Sequence, residues 1–189
     1  MKELIYKIFS LPLFPLIGAL YLCCPISIRA LITADLRRWA EWQSMDCSML
    51  TFAQLFLRLR EFRNVVYHRL YWRKYPWAWI FRGQTNLTLA CSNIGPGLIV
   101  QHGYSTVVVA KSIGANFHVN QCVNIVWNQD KRATIGDNVT VCAGAIVVGD
   151  VKIGNNVTIG AGAVVVNDVP NNSLVIGNPM RILSRENYN

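Results

Sequence analysis

The sequence has few of the side chains that build metal sites and disulfide frameworks. Only three histidines occur in 189 residues, and the spacing of His68, His102 and His118 fits no metal triad. The six cysteines form no CxxC pair and no Cys/His ligand pattern. We therefore expect no metal centre, and we interpret the cysteines, Cys122 and Cys142 among them, as free buried thiols in a reducing cytoplasm.

Two further absences limit the class of protein. No small-residue cleavage pattern follows the apolar N-terminal stretch, so we expect no secretory signal peptide. Residues 86–189 carry six Lys and Arg against five Asp and Glu, with no basic stripe for nucleic acid. The chain is 52% hydrophobic, which excludes wholesale disorder, and its length suits one domain or two small ones.

The positive charge is concentrated in the first half of the chain. Residues 1–85 hold 12 Lys and Arg against five Asp and Glu. Within them, residues 8–28 contain no charged side chain and are long enough to span a bilayer, but Pro12, Pro15 and Pro25 interrupt the run. A packed helix, an interfacial anchor and a membrane-inserted helix all stay open for this stretch.

Residues 50–83 have the spacing of an amphipathic helix. The apolar face comprises Leu55, Leu59, Phe62, Val66 and Leu70, and the basic, solvated face comprises Arg58, Arg60, Arg63, Arg69, Arg73 and Lys74. Trp72, Trp77 and Trp79 follow, a mixture typical of a membrane–water interface. We predict a cytoplasmic protein associated with the inner face of the cytoplasmic membrane; packing against the rest of the chain or a sister subunit is the alternative.

Every sixth residue from Ile135 to Val165 is aliphatic. The in-phase positions are Ile135, Val141, Val147, Ile153, Ile159 and Val165. A period of six fits neither an α-helix nor a sandwich strand, but it fits a parallel β-helix that turns a corner every six residues. We count about twelve such turns, or four coils, and divide the chain into an α-helical region 1–85, a β-helix 86–183 and a tail 184–189.

The six-residue period is broken in two places, and breaks in a regular scaffold are where sites tend to lie. One extra residue separates Val100 from the next inward position, predicted as Val107, and His102 lies in that break. Imidazole exchanges protons readily near neutral pH, so His102 is a candidate general base. Four extra residues lie between 126 and 134.

Together, the repeats, the IGPGLIVQHG stretch at 94–103, the IGAGAVV run at 159–165 and the closing VIGNPMRIL at 175–183 resemble the hexapeptide-repeat acyltransferases. The serine acetyltransferases and their relatives in capsule and colanic-acid clusters are the branch that the chain resembles. The resemblance implies a left-handed parallel β-helix, acetyl-CoA as donor, no metal, and a homotrimer with active sites between subunits. It also implies that His102 deprotonates the acceptor hydroxyl.

By the same resemblance, two sets of residues surround His102. The donor is expected to contact Trp127, Ala143, Gly144, Ala161, Gly162, Pro179 and Arg181. The candidate acceptor contacts are Gln101, Tyr104, Asn120, Asn124 and Arg132.

Three departures from the serine enzymes bear on the acceptor. Gln101 stands where they carry an acid, residues 87–90 lack their Asp and His, and 131–133 lack the His of their Arg-His-Pro. We therefore expect acetylation of a sugar hydroxyl, on a glycan or glycolipid of surface-polysaccharide or exopolysaccharide biosynthesis. Serine O-acetylation in cysteine biosynthesis and a non-catalytic β-helix scaffold are the alternatives.

Overall fold

The chain divides into two units, residues 1–84 and 85–189. A computed structural model describes residues 14–22, 24–71 and 77–184. Each unit is described by itself.

Helices make up the described part of the first unit. They are α1 (Phe14–Leu22), α2 (Ile26–Trp42), α3 (Met49–Arg58), α4 (Arg60–Leu70) and the short α5 (Trp77–Ile80). The side chains of Trp39, Phe52, Phe56 and Phe62 are buried and meet mostly edge to face, which gives this unit an aromatic core. The prediction of one helix over 50–83 is wrong, because the chain leaves the helical conformation at Leu59.

Two arginines from the predicted solvated face are buried instead. The Arg63 guanidinium donates to the carbonyl oxygens of Phe56 (2.7 Å) and Leu57 (3.0 Å), which are unpaired acceptors at the C-terminus of α3. Burial lowers the pKa of Arg63. Arg69 forms a bidentate ion pair with Asp35 of α2, at 2.8 and 3.0 Å. Hydrogen bonds to buried oxygens are what permit these charges inside the unit.

The apolar stretch at 8–28 is only partly described. Residues 8–13 and 23 lie outside the described residues, and a break at Pro25 separates α1 from α2. Among the helices of the described ranges, none combines the length and the apolar character needed to cross a bilayer.

The second unit, as described from residue 85 to residue 184, contains fourteen short strands. In chain order they are β1 (Leu87–Leu89), β2 (Ile99–Val100), β3 (Thr106–Val108), β4 (Ser112–Ile113), β5 (His118–Val119), β6 (Asn124–Val126), β7 (Thr134–Ile135), β8 (Thr140–Val141), β9 (Ile146–Val148), β10 (Lys152–Ile153), β11 (Thr158–Ile159), β12 (Val164–Val165), β13 (Ser173–Ile176) and β14 (Arg181–Ser184).

These strands form three sheets with parallel pairing. Sheet A has the order β1-β3-β6-β9-β12, sheet B the order β4-β7-β10, and sheet C the order β2-β5-β8-β11-β13, with β14 antiparallel at its edge. Bridges from Ile94 to Ile113 and from Ile153 to Val169 extend sheet B at both ends. The predicted fold, a parallel β-helix preceded by α-helices, is confirmed, but it has about five coils rather than four.

The inward aliphatic residues form the core of the β-helix. All six in-phase positions from Ile135 to Val165 are buried, as are Ile113, Val119 and Ile125. Burying one such side chain stabilises a protein by about 1.5–3 kcal/mol. The predicted position Val107 is wrong by one residue, since Val108 is the residue that pairs with Ile125 and is fully buried.

Each coil passes from sheet B to C to A, so the sheets meet at three corners. At the corner from B to C, Asn116, Asn138, Asn156 and Asn172 share a left-handed conformation. Their side-chain amides hydrogen-bond to one another from coil to coil at 2.9–3.0 Å. Asparagine tolerates this conformation better than most residues, so these four residues allow the chain to turn here. Their hydrogen bonds also connect the successive coils at this corner.

Candidate functional site

The candidate site lies at the corner from sheet C to sheet A, which we call the C–A corner. It comprises residues 101–105, 120–122, 142–144 and 160–162 of successive coils. The parallel registers of β2 with β5, β5 with β8 and β8 with β11 stack these residues in columns. One column is Gln101, Asn120, Cys142 and Gly160, and the next is Tyr104, Gln121, Ala143 and Ala161.

A two-residue insertion distinguishes the first of these coils in chain order, which contains residues 101–105. From Val100 to Val108 the inward spacing is eight rather than six, so the insertion is one residue longer than predicted. His102 (φ 65°) and Gly103 (φ 46°) are both left-handed, and the imidazole of His102 is exposed. The insertion therefore makes His102 protrude from an otherwise regular corner.

No side chain in the described part of the chain hydrogen-bonds the His102 imidazole, and none of the corner residues is an acid. Its neighbour Gln101 is held instead: the Oε1 atom of Gln101 lies 3.1 Å from Nε2 of His118, one coil further on. A carbonyl oxygen only accepts, so His118 donates, and the amide N–H groups of Gln101 are directed elsewhere. His118 thus fixes the orientation of the side chain that precedes the candidate base.

Two amide oxygens at this corner have no hydrogen-bond donor among the described residues. They are Oδ1 of Asn120 and Oε1 of Gln121, and both atoms are buried. Sequence reasoning included Asn120 but missed Gln121. A signal was present, because glutamine occupies in this coil the turn position that alanine occupies at Ala143 and Ala161.

The last two coils of the C–A corner, at residues 142–144 and 160–162, carry only small residues. Ala143 and Gly144 are half-buried, whereas Ala161 and Gly162 are exposed. A Cβ atom added to Gly162 would meet nothing within 4 Å, so the surface there is open. Such a strip suits the thin, extended arm of coenzyme A.

The C-terminal residues close the lower end of the same corner. Pro179 lies in the turn from β13 to β14, and Arg181 begins β14 with an exposed side chain. The N–H of Val164 in sheet A donates to the carbonyl oxygen of Gly177 (3.4 Å), which places this turn at the C–A corner. Arg181 is thus available to a phosphate group at the end of the strip.

The remaining corner residues differ in their roles. The side chain of Tyr104 is 54% exposed. Asn124 begins β6, and its amide donates to the carbonyl oxygen of Cys122 (3.5 Å). Burial raises the pKa of the Cys142 thiol, which keeps it protonated and unsuited as a nucleophile. Cys122, which we predicted to be buried, is exposed.

Two predicted site residues lie elsewhere in the chain. Trp127 and Arg132 belong to the four-residue insertion at the next corner, from sheet A to sheet B, and both are exposed. A bridge between Asn128 and Lys131 closes this loop. Within one chain, therefore, the loop at 126–134 and His102 lie at different corners of the β-helix.

Comparisons with known proteins agree on one group of enzymes. Residues 132–167 match the family model of the bacterial transferase hexapeptide (six repeats). The chain is similar to the probable serine acetyltransferase 5 of Oryza sativa subsp. japonica, with 31% identity over 176 residues covering 85% of this chain and 51% of the relative. A serine acetyltransferase of Staphylococcus aureus is 38% identical over 100 residues, covering 50% and 47%. The chain thus spans about half the length of these curated relatives.

Solved structures extend the similarity to both units of the chain. The serine acetyltransferase of Neisseria gonorrhoeae in complex with serine has a TM-score of 0.67 at 26% identity, covering 87% of this chain and 73% of that one. The soybean serine acetyltransferase apoenzyme has a TM-score of 0.66 at 28% identity, covering 84% and 70%.

These comparisons overturn the expectation of a sugar acceptor. All the relatives and structures described above are serine acetyltransferases, which agrees with the alternative and not with a role in polysaccharide synthesis. The three departures around Gln101, residues 87–90 and Ala133 therefore do not indicate a sugar acceptor. The predicted resemblance itself is confirmed: the chain resembles the hexapeptide-repeat acyltransferases of the serine acetyltransferase branch.

Proposed function

We propose that this chain is a serine O-acetyltransferase that transfers the acetyl group of acetyl-CoA to the hydroxyl of L-serine. The observation that carries the proposal is the C–A corner, where an exposed histidine stands above an open strip of small residues. The similarity to serine acetyltransferases over 85% of the chain supports serine as the acceptor.

The chemistry follows from the position of His102. Its imidazole takes the hydroxyl proton of serine while the serine oxygen attacks the thioester carbonyl carbon. The new carbon–oxygen bond forms, the carbon–sulfur bond breaks, and the proton held by His102 passes to the departing thiolate. His102 is thus a base in the first half of the reaction and an acid in the second.

The donor strip accounts for the remaining predicted contacts. Ala143, Gly144, Ala161 and Gly162 leave room for the pantetheine arm, and Arg181 offers its charge to a phosphate group. Pro179 shapes the turn from β13 to β14 that precedes Arg181.

Turnover tests the proposal directly. The purified full chain is expected to release coenzyme A from acetyl-CoA when L-serine is present, with formation of O-acetylserine detected by mass spectrometry. Threonine and glycerol serve as control hydroxyl compounds and should give much slower release. Thiol release that is equal with and without serine would contradict the proposal.

We further propose that the enzyme works as a homotrimer. In one chain Trp127 and Arg132 lie at a different corner from His102, so they can flank the site only if they come from a neighbouring subunit. Light scattering of the purified protein measures the assembly, and a monomer with full activity would contradict this arrangement.

We also propose cytoplasmic peripheral attachment to an anionic membrane surface. In the N-terminal unit Ile26 is 79% exposed and Trp79 is 77% exposed, and basic side chains such as Arg37 and Arg60 are exposed as well. The full chain is expected to sediment with anionic vesicles and, because the attraction is electrostatic, to be released by salt. A double variant, Ile26→Ser with Trp79→Ser, should sediment less. Equal sedimentation with neutral and anionic vesicles would contradict the electrostatic part.

A further inference from the structure

The side chains of Asn120 and Gln121 contain an unexplained pair of buried acceptors. Oδ1 of Asn120 and Oε1 of Gln121 have no hydrogen-bond partner among the described residues, and only Arg29 Nε, in the other unit, shares that condition there. An unsatisfied buried acceptor costs about 1–3 kcal/mol, so native proteins rarely keep one without a reason. Two adjacent ones point to a donor that arrives with a ligand.

Three nearby donors are already used. The main-chain N–H of Asn120 donates to Val141 (3.0 Å), and that of Gly144 donates to the main-chain oxygen of Gln121 (3.1 Å). The hydroxyl of Thr106 lies 3.1 Å from the main-chain oxygen of Asn120. The main-chain oxygens are therefore satisfied, and only the two side-chain oxygens are left.

Register places these oxygens beside the candidate base. Val100 pairs with Val119, so Asn120 lies next to Gln101 on the adjacent coil. Val107 pairs with Asn124, and the N–H of Cys122 donates to the carbonyl oxygen of Tyr104 (2.7 Å), so Gln121 lies next to Tyr104. The inserted residues His102 and Gly103 therefore bulge out between Gln101 and Tyr104, at the step from Asn120 to Gln121. Neighbouring parallel strands are about 4.8 Å apart. A small molecule that presents a hydroxyl to His102 therefore has its next atoms within reach of Gln121.

We propose that Asn120 and Gln121 bind the α-ammonium group of the acceptor, an inference that rests on the proposed acetylation of serine. In serine the hydroxyl and the amino group are on adjacent carbons, so the base and the ammonium site must be close together. The bulge that carries His102 lies beside the step from Asn120 to Gln121, which meets this requirement. An ammonium group carries three N–H donors and no acceptor, which matches a pair of amide oxygens. These charge-assisted hydrogen bonds select an amino alcohol over a simple alcohol.

Leucine substitutions test the inference. In Asn120→Leu and Gln121→Leu, the KM for L-serine is expected to rise about 10- to 100-fold, since each removes a hydrogen bond to a charged group. The KM for acetyl-CoA should not change. Turnover of 3-hydroxypropionate, which is serine without its amino group, should be unaffected, so the preference for serine collapses. The midpoint of thermal unfolding should stay the same or rise, because a buried acceptor without a donor is removed.

Asn155→Leu is the matched control. Oδ1 of Asn155 accepts a hydrogen bond from the main-chain N–H of Asp137 (2.8 Å) at the B–C corner. This variant should unfold at a lower temperature and keep its KM for serine, which separates loss of an amide from loss of the site.

The outcomes distinguish a failure of the proposed serine acetylation from a failure of the proposed ammonium site. If the wild-type chain does not acetylate L-serine, the proposed function fails, and this is seen before any variant is made. If the wild type acetylates serine but the variants raise only the KM for acetyl-CoA, the oxygens serve the amide N–H groups of pantetheine and the inference is overturned. Unchanged KM values for both substrates would overturn it as well.

Discussion

His102→Asn is expected to lower kcat/KM for serine by about 100- to 10,000-fold, the usual contribution of a general base. Asparagine is the suitable replacement because the backbone of His102 is left-handed (φ 65°), a conformation that asparagine adopts more readily than alanine does. Steady-state release of coenzyme A measures the effect. The loss should appear in kcat, because the substrates still bind.

The same variant carries its own structural control. The His102 side chain is exposed and has no hydrogen-bond partner in the described part of the chain, so His102→Asn should unfold at the wild-type temperature. A variant that unfolds normally and retains wild-type kcat would remove His102 from the mechanism. His102→Ala should lose activity too, with an added cost in stability from the backbone conformation.

The period of six residues predicts most of the β-helix from the sequence alone. Each inward aliphatic residue from Ile135 to Val165 lies in the core, because a chain that turns a corner every six residues directs the same position of each repeat inward. The phase failed only near Val107, where three consecutive valines make neighbouring registers look alike. Val108 is the inward residue because it pairs with Ile125 one coil away. This long-range contact cannot be predicted from the neighbouring residues in the sequence.

The helical unit was harder to predict for a related reason. A polar face on a helix looks the same whether it contacts water or a buried partner. Arg69 is buried because Asp35 lies opposite it, 34 residues away in the sequence. Arg63 is buried because the chain breaks at Leu59 without a glycine or proline, exposing carbonyl oxygens that need a donor.

At the candidate site, the residue that interrupts the repeat could be predicted from the sequence, whereas the residues that keep the repeat could not. His102 was predicted because it interrupts the repeat. Gln121 was missed because it keeps the repeat, and only the stacking of coils shows that it lies next to Tyr104, at the edge of the bulge that carries His102. The prediction of a sugar acceptor was wrong for a similar reason. The absence of the acid and histidine side chains of the serine enzymes is visible in the sequence, whereas a side chain on another coil that could replace them is not.

Arg69→Met is expected to destabilise the N-terminal unit by about 3–5 kcal/mol, the usual cost of breaking a buried ion pair. The carboxylate of Asp35 is 1% exposed, and its two oxygens accept from Nε and from the terminal nitrogen of Arg69. Without Arg69, this carboxylate loses its bidentate partner, and the positive charge of Arg38, which also acts on it, compensates for the loss only in part. Urea unfolding followed by the helical circular dichroism signal measures the loss.

A double-variant cycle separates the pair from the packing around it. In Asp35→Leu with Arg69→Met, both charges are replaced by apolar groups, and the desolvation cost of each charge disappears. The double variant should therefore be more stable than either single variant, with a coupling energy of about 3 kcal/mol. Additive losses in the double variant would mean that the two side chains stabilise the unit through separate contacts.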